Sequence, residues 1–182
     1  PSLEGFLFPD TYILLKTYTE EDIIRVLVNQ FKHNMKTLQQ TFPVNLNIRE
    51  IATMASIIQG EAMYADEMPI ISSVYHNRLK QGMLLQADPT IQYIIPGKPR
   101  RLYNKDLEVD DPYNTYKYKG LPPGPINNPG LLSLQAAMNP AETKYLYFVS
   151  NLEGRHTFTN TSDEHNKAKQ AMKQKRKLKR KI

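Results

Sequence analysis

Apolar positions recur at helical spacing in three stretches of the chain. After Thr19, the residues Ile23, Ile24, Leu27, Val28, Phe31 and Met35 fall three or four apart, which predicts a helix that ends near Thr41, before Pro43. Thr19 with Asp22 three positions on is the pairing of a capping box. Ile48, Ile51, Ala52, Ala55, Ile58 and Ala62 repeat the pattern behind Asn47 and Glu50, a second capping pair, and predict one buried helical face over Ile48–Ala62. A third helix begins at Asp66-Glu67-Met68-Pro69, runs to about Gln81 with Ile70, Ile71, Val74, Tyr75, Arg78 and Leu79 on its packing face, and stops at Gly82. The short link between the second and third helices predicts an antiparallel hairpin.

From Met83 to Gly130 the periodicity fails, and eight prolines with Asn114, Asn127 and Asn128 read as ordered loops without regular elements. The tyrosines there (Tyr103, Tyr113, Tyr116 and Tyr118) suit the wall of a groove for an extended polar ligand. Leu131–Asn139 predicts a short helix stopped by Pro140. Tyr145–Ser150 and Arg155–Thr159 predict two strands joined by a turn at Asn151–Gly154, and Thr161 or Ser162 with Asp163 and Glu164 caps a last helix. At the other end, Leu3–Tyr12 lays aromatic side chains on the core and turns at Pro9-Asp10, and Tyr12–Leu15 has strand character. The whole is an α+β domain: a helical hairpin packed with a small antiparallel sheet and a Pro/Tyr-rich loop region.

Charge changes this picture only at the C-terminus. The 182 residues carry a formal net charge of +6, but nine Lys and Arg lie between Lys167 and Lys181 with no acid among them. Without them 15 basic residues face 18 acidic ones, so the body is acidic and the basicity belongs to a tail. This divides the chain into a domain over 1–166 and a basic helical tail over 167–182, which reads as a solvated terminal helix or a contact for anionic lipid or polymer rather than a nucleic-acid interface, since no reading motif accompanies the charge. Cysteine is absent, which excludes disulfides and thiolate chemistry. No apolar run reaches the length of a membrane span. The opening Pro1-Ser2-Leu3 falls mid-pattern, as expected of a domain cut from a longer protein.

Few residues remain that could carry chemistry. The four histidines, at 33, 76, 156 and 165, lack the paired spacing of a zinc site and read as structural hydrogen-bonding residues, so no metal and no organic cofactor is expected. No nucleophile elbow, phosphate loop or dinucleotide fingerprint is present. Glu61 is the exception among the acids. At about 100° per residue it lies a quarter turn from the centre of its helix's apolar stripe, half out of water, so it reads either as a proton donor tuned for neutral pH or, as residue type alone favours, as a solvated helix-end glutamate. Asp88, before Pro89, reads either as a turn cap ahead of Thr90 or as a substrate contact.

The strings ASIIQGEA (Ala55–Ala62), VYHNRL (Val74–Leu79), LQADPTIQY (Leu85–Tyr93), YNTYKYKGLPPGPINNPG (Tyr113–Gly130), NPAETKYLYFV (Asn139–Val149) and HTFTNTSDEHN (His156–Asn166), with LEGFLFPDTY at the start, resemble the YceG-like, or MltG-type, endolytic murein transglycosylases. The resemblance implies a lyase that cuts the β-1,4 bond between N-acetylmuramic acid and N-acetylglucosamine inside peptidoglycan strands, leaving 1,6-anhydromuramyl ends. It puts the catalytic glutamate at Glu61, acting first as acid and then as base. Many members carry a second acid two residues earlier, where this chain has Gln59. Substrate contacts are expected at Asn77, Gln86, Asp88, Thr90, Tyr113, Asn114, Tyr116 and Asn139. Partners implied are glycan strands and cell-wall synthases. The resemblance also implies an N-terminal membrane anchor in the full-length protein, holding the domain on the outer side of the bacterial cell membrane. Two rivals are a non-catalytic glycan-binding module and a pyridoxal-phosphate lyase; for the latter no lysine stands in a plausible setting.

Overall fold

The computed structural model describes residues 2–179, so the last three residues of the basic tail lie outside the described residues. Six helices and one two-stranded sheet succeed one another as α1 (Glu20–Thr41), α2 (Ile48–Glu61), α3 (Met68–Lys80), α4 (Asp88–Ile94), α5 (Leu131–Met138), β1 (Tyr147–Ser150), β2 (His156–Thr159) and α6 (Ser162–Lys179). The expected capping boxes are formed. Thr19 accepts from the Asp22 amide, Asn47 from the Glu50 amide, and each acid returns the bond. No described helix is long and apolar enough to cross a membrane.

Helix α2 is the axis of the core, packed by α3, α4 and α5. It is not buried on one face, as its apolar stripe predicts, but all round. Every residue from Ile51 to Ile58 is inaccessible, Thr53 and Ser56 included. The polar pair is tolerated because each hydroxyl is satisfied: Thr53 Oγ1 donates to the Arg49 carbonyl, while Ser56 Oγ donates to Thr53 and accepts from the Ile126 amide. Gln59 follows the same logic. Its Oε1 accepts from the Gly130 amide and the Ser133 hydroxyl, tying the start of α5 to the end of α2.

α2 and α3 form the expected hairpin through a 3₁₀ turn at Ala65–Glu67. The C-terminal half of α3 then holds the sheet. Asn77 donates to the Thr143 and Tyr145 carbonyls, and the buried Arg78 donates from Nε to Leu146 and from Nη1 to Leu85. β1 and β2 pair antiparallel with Phe148 opposite Phe158 and Ser150 opposite His156. Phe148 meets Tyr75 of α3 edge-on, ring centroids 5.9 Å apart, which seats the sheet on the hairpin. Helix α6 lies on the sheet through the buried Met172 and a stack of His165 on Tyr147 at 5.2 Å.

Three expectations fail. Tyr12–Leu15 is not a strand; no neighbour pairs with it and Ile13 is 97% exposed, so β-propensity there has nothing to act on. The N-terminal turn falls at Glu4-Gly5 rather than Pro9-Asp10, because Asn128 Oδ1 accepts from both the Gly5 and Leu7 amides and holds Gly5 at φ +87°. The aromatics do lie on the core as expected, with Phe8 buried and Phe6 edge-on to Phe31. The Met83–Gly130 region is not devoid of elements, since it contains α4 and a 3₁₀ segment at Asn104–Glu108. α4 is seven residues long and its N-cap, Ala87, makes no side-chain bond, so neither periodicity nor capping marks it; Pro89 in its first turn was the one signal.

The α2–α4 contact leaves no room for a side chain at Gly60. A Cβ there would lie 2.7 Å from Pro89 Cβ. Gly60→Ala is therefore expected to lower the melting temperature, because overpacking costs about 1–3 kcal/mol while the gain in helix propensity is at most about 1 kcal/mol. Thermal denaturation checks this, and an unchanged or raised midpoint would show that α4 is free to move.

Candidate active site

Glu61 ends α2 at the margin of the core, half-buried. The phenol of Tyr75, itself buried one turn before the end of α3, donates to Glu61 Oε1 at 2.8 Å. Burial pushes the Glu61 carboxyl up to about 7; the Tyr75 hydrogen bond opposes this, the negative charge of Asp88 adds to it and the positive charge of Arg78 opposes it. Tyr75 is held far above the ordinary phenol range by its own burial and by Glu61, so it stays a donor throughout. A carboxyl titrating near neutrality can give and recover a proton, which is the property of a general acid–base.

Glu61 and Asp88 line two cavities at once. One, of about 420 Å³, runs along β1 and α6 and also takes in Gln86, Tyr116 and His156. The other, of about 380 Å³, is bounded by Gly60, Pro89, Gln92, Tyr93 and Asn127. The two acids are thus common to the walls of both cavities, with one cavity on either side of them. Asp88 opens α4, and its Oδ1 accepts from the hydroxyl of Tyr116. It does not cap the turn: the Thr90 amide goes to the Ala87 carbonyl instead. Burial and Asp88 together raise the Tyr116 phenol. Gln86, beside them, is the one non-glycine residue held at positive φ (+49°) among the described residues, a conformation that costs about 1–3 kcal/mol.

Of the residues expected to touch substrate, the fold brings Gln86, Asp88 and Tyr116 to Glu61. The other five stand elsewhere. Asn114 is fully buried, donating to the Leu107 and Val109 carbonyls and accepting from the Tyr116 amide. Thr90 is equally buried, bonded to Ala87 and Thr115. Tyr113 packs against Tyr93 with ring centroids 5.0 Å apart. Asn77 lines a separate cleft with His76 and Lys80, and Asn139 ends α5 at another beside Pro140.

Other groups at the site escaped sequence reasoning. Tyr75 looked like a core residue of an apolar face. His156 does make the structural bond expected of it, Nδ1 to Glu67 Oε2 at 2.8 Å, yet its ring also lines the groove. His165, Lys169 and Arg176 line it from α6, within or beside the tail taken as solvated. The helix is continuous through Asn166. No group of His, Asp or Glu side chains disposed to hold a metal occurs among the described residues.

A carboxyl raised toward neutrality and shared by the walls of two cavities, on a mainly helical core flanked by a small sheet, is the arrangement of a candidate acid–base site. The chain belongs to the YceG-like family, whose model matches residues 1–171. It is 45% identical over 170 residues to the endolytic murein transglycosylase of Bacillus subtilis (strain 168), covering 92% of this chain and 47% of that protein. It is 32% identical over 173 residues to the endolytic murein transglycosylase of Streptococcus pneumoniae serotype 2 (strain D39), covering 91% and 31%. The chain therefore spans less than half the length of these relatives. The 2.6 Å crystal structure of a YceG-like protein from Listeria monocytogenes superposes with a TM-score of 0.84 at 41% identity, over 91% of this chain and 55% of that one.

The neighbours of Glu61 make opposite predictions. Tyr75→Phe removes a bond that favours the carboxylate and is expected to move the Glu61 midpoint above about 7, whereas Asp88→Asn removes a repelling charge and is expected to lower it. Titration of ¹³C-labelled glutamate carboxyls, with Glu61→Gln to assign the signal, reads both; midpoints that do not separate would contradict this electrostatic account. Linkage gives a second readout. A carboxyl raised from 4.5 to about 7 on folding stabilises the protein below 4.5 and loses that contribution as pH rises through about 7. The stability of Glu61→Gln relative to the parent should accordingly grow between those values.

Proposed function

We propose that this domain is an endolytic peptidoglycan lytic transglycosylase in which Glu61 is the catalytic residue. The observation that carries the proposal is the position of a carboxyl with a pKa near 7 at the junction of two cavities, so that a glycan strand can pass it on both sides. The names borne by the B. subtilis and S. pneumoniae relatives agree with it. Protonated Glu61 gives its proton to the oxygen bridging N-acetylmuramic acid and N-acetylglucosamine, and the bond from that oxygen to muramyl C1 breaks. The 2-acetamido group stabilises the positive centre, as in substrate-assisted glycosidases. The muramyl 6-hydroxyl then bonds to C1 and returns its proton to Glu61, which leaves a 1,6-anhydro end and restores the acid. No water is consumed, and one carboxyl serves both steps.

In this scheme burial, with a smaller contribution from the charge of Asp88, keeps Glu61 protonated near neutral pH, and Tyr75 holds the carboxyl in one orientation between its two roles. Gln86, Asp88 and Tyr116 contact the sugar on one side of the cut. Gln92, Tyr93 and Asn127 offer amides and an aromatic face on the other. The substrate would put the domain on the outer side of the bacterial cell membrane, among new glycan strands and the synthases that make them.

Digestion of purified murein followed by mass spectrometry tests the assignment. The parent should release anhydro-ended fragments, and Glu61→Gln should lose about 10²–10⁴-fold in rate. Equal release by that variant would remove Glu61 from the mechanism. Hydrated reducing ends would instead mean hydrolysis with Asp88 as the second carboxylate. Binding without any product would leave a glycan-binding module.

A further inference from the structure

The groove is electrically lopsided about Glu61. On the α4 side it is lined by Pro, Gln, Tyr and Asn and carries no cation. On the β1–α6 side it carries three, Arg78, Lys169 and Arg176, while the acids of that cavity, Glu61 and Asp88, lie at the junction. His165, Lys169, Met172 and Arg176 follow one another by four, three and four residues, which is a single face of α6 about 16 Å long. Met172, on the same face, is buried, and the basic side chains on either side of it, Lys169 and Arg176, line the groove while Lys167, Lys173, Lys175 and Lys177 do not. Lys169 and Arg176 make no salt bridge among the described residues. Arg78, opposite, spends Nε and Nη1 on backbone carbonyls and has no acceptor for Nη2 among the described residues. His165 adds a donor or acceptor but little charge, since burial and the nearby Lys169 and Arg78 push it down to about 4; its buried Nδ1 has no partner either. Arg78 is thus largely engaged, its guanidinium also lying over the Tyr147 ring at 5.2 Å, and the cations left without a partner on this arm are Lys169 and Arg176, which an anionic ligand would match.

We propose that this arm is a carboxylate subsite, which takes the acid groups that a muramyl residue carries on its lactyl side. These are the carboxylates of the peptide stem or, where the stem has been removed, the lactyl carboxylate itself. The inference rests on the peptidoglycan reading above. It makes Lys169 and Arg176 determinants of specificity and sets the direction in which the strand lies, with the acid-bearing muramyl substituent toward α6.

The test is binding in the Glu61→Gln background, where strands are not consumed, comparing that protein with one that also carries Lys169→Gln and Arg176→Gln. The ligands are stem-bearing glycan strands, strands whose stem carboxylates have been amidated, amidase-denuded strands, and neutral chitin oligomers. For stem-bearing strands the added substitutions should weaken Kd about three- to tenfold and flatten its dependence on salt, with chitin oligomers unaffected. Loss toward denuded strands assigns the subsite to the lactyl carboxylate, loss toward stem-bearing strands that amidation abolishes assigns it to the stem carboxylates, and loss undiminished on amidated stems overturns it. Equal weakening toward chitin, or none toward any strand, overturns it. Failure of the parent to produce anhydro ends, with the charge effect on binding intact, would sink the proposed reaction and leave the subsite standing.

Discussion

A carboxyl at the end of a helix buried all round cannot shed its desolvation penalty, and the site follows from that constraint. α2 is enclosed from Ile51 to Ile58, so its last residue emerges into a place that water reaches only from one side. Burial is the largest influence on Glu61, larger than the hydrogen bond from Tyr75 or the charges of Asp88 and Arg78. The neighbours adjust a value that the core has already displaced. A fold with α2 on its surface would present the same residues around an ordinary acid.

Much of the frame was legible because it depends on local rules. Both capping boxes, the hairpin, Gly82 after α3 and the strand pair stand in the sequence as spacing and residue type, whereas the place of Glu61 beside an apolar stripe became decisive only together with the strings that resemble the YceG-like family. What could not be read is set by long-range contact. Periodicity could not reveal that Thr53 and Ser56 are also enclosed, because their burial depends on hydroxyls satisfied within their own helix and by Ile126. The turn at Gly5 depends on Asn128, 123 residues away.

The site residues divide along the same line. Gln86, Asp88 and Tyr116 reach Glu61, whereas Asn114 and Thr90, equally polar and in the same motifs, are the pins that hold the loop in shape. A motif records that a residue is needed but not which way it faces. The basic tail shows the converse. Its charge is obvious and suggests a solvated extension, yet one face of α6 closes a wall of the groove through a single buried methionine.

The bare α-carbon of Gly60 lets α2 and α4 meet at Pro89 in a close contact. The two acids sit on either side of it, Glu61 next in the chain to Gly60 and Asp88 next to Pro89. The same close contact therefore fixes where the two carboxyls stand relative to each other. A side chain larger than hydrogen at position 60 would push the two apart together with the helices that carry them.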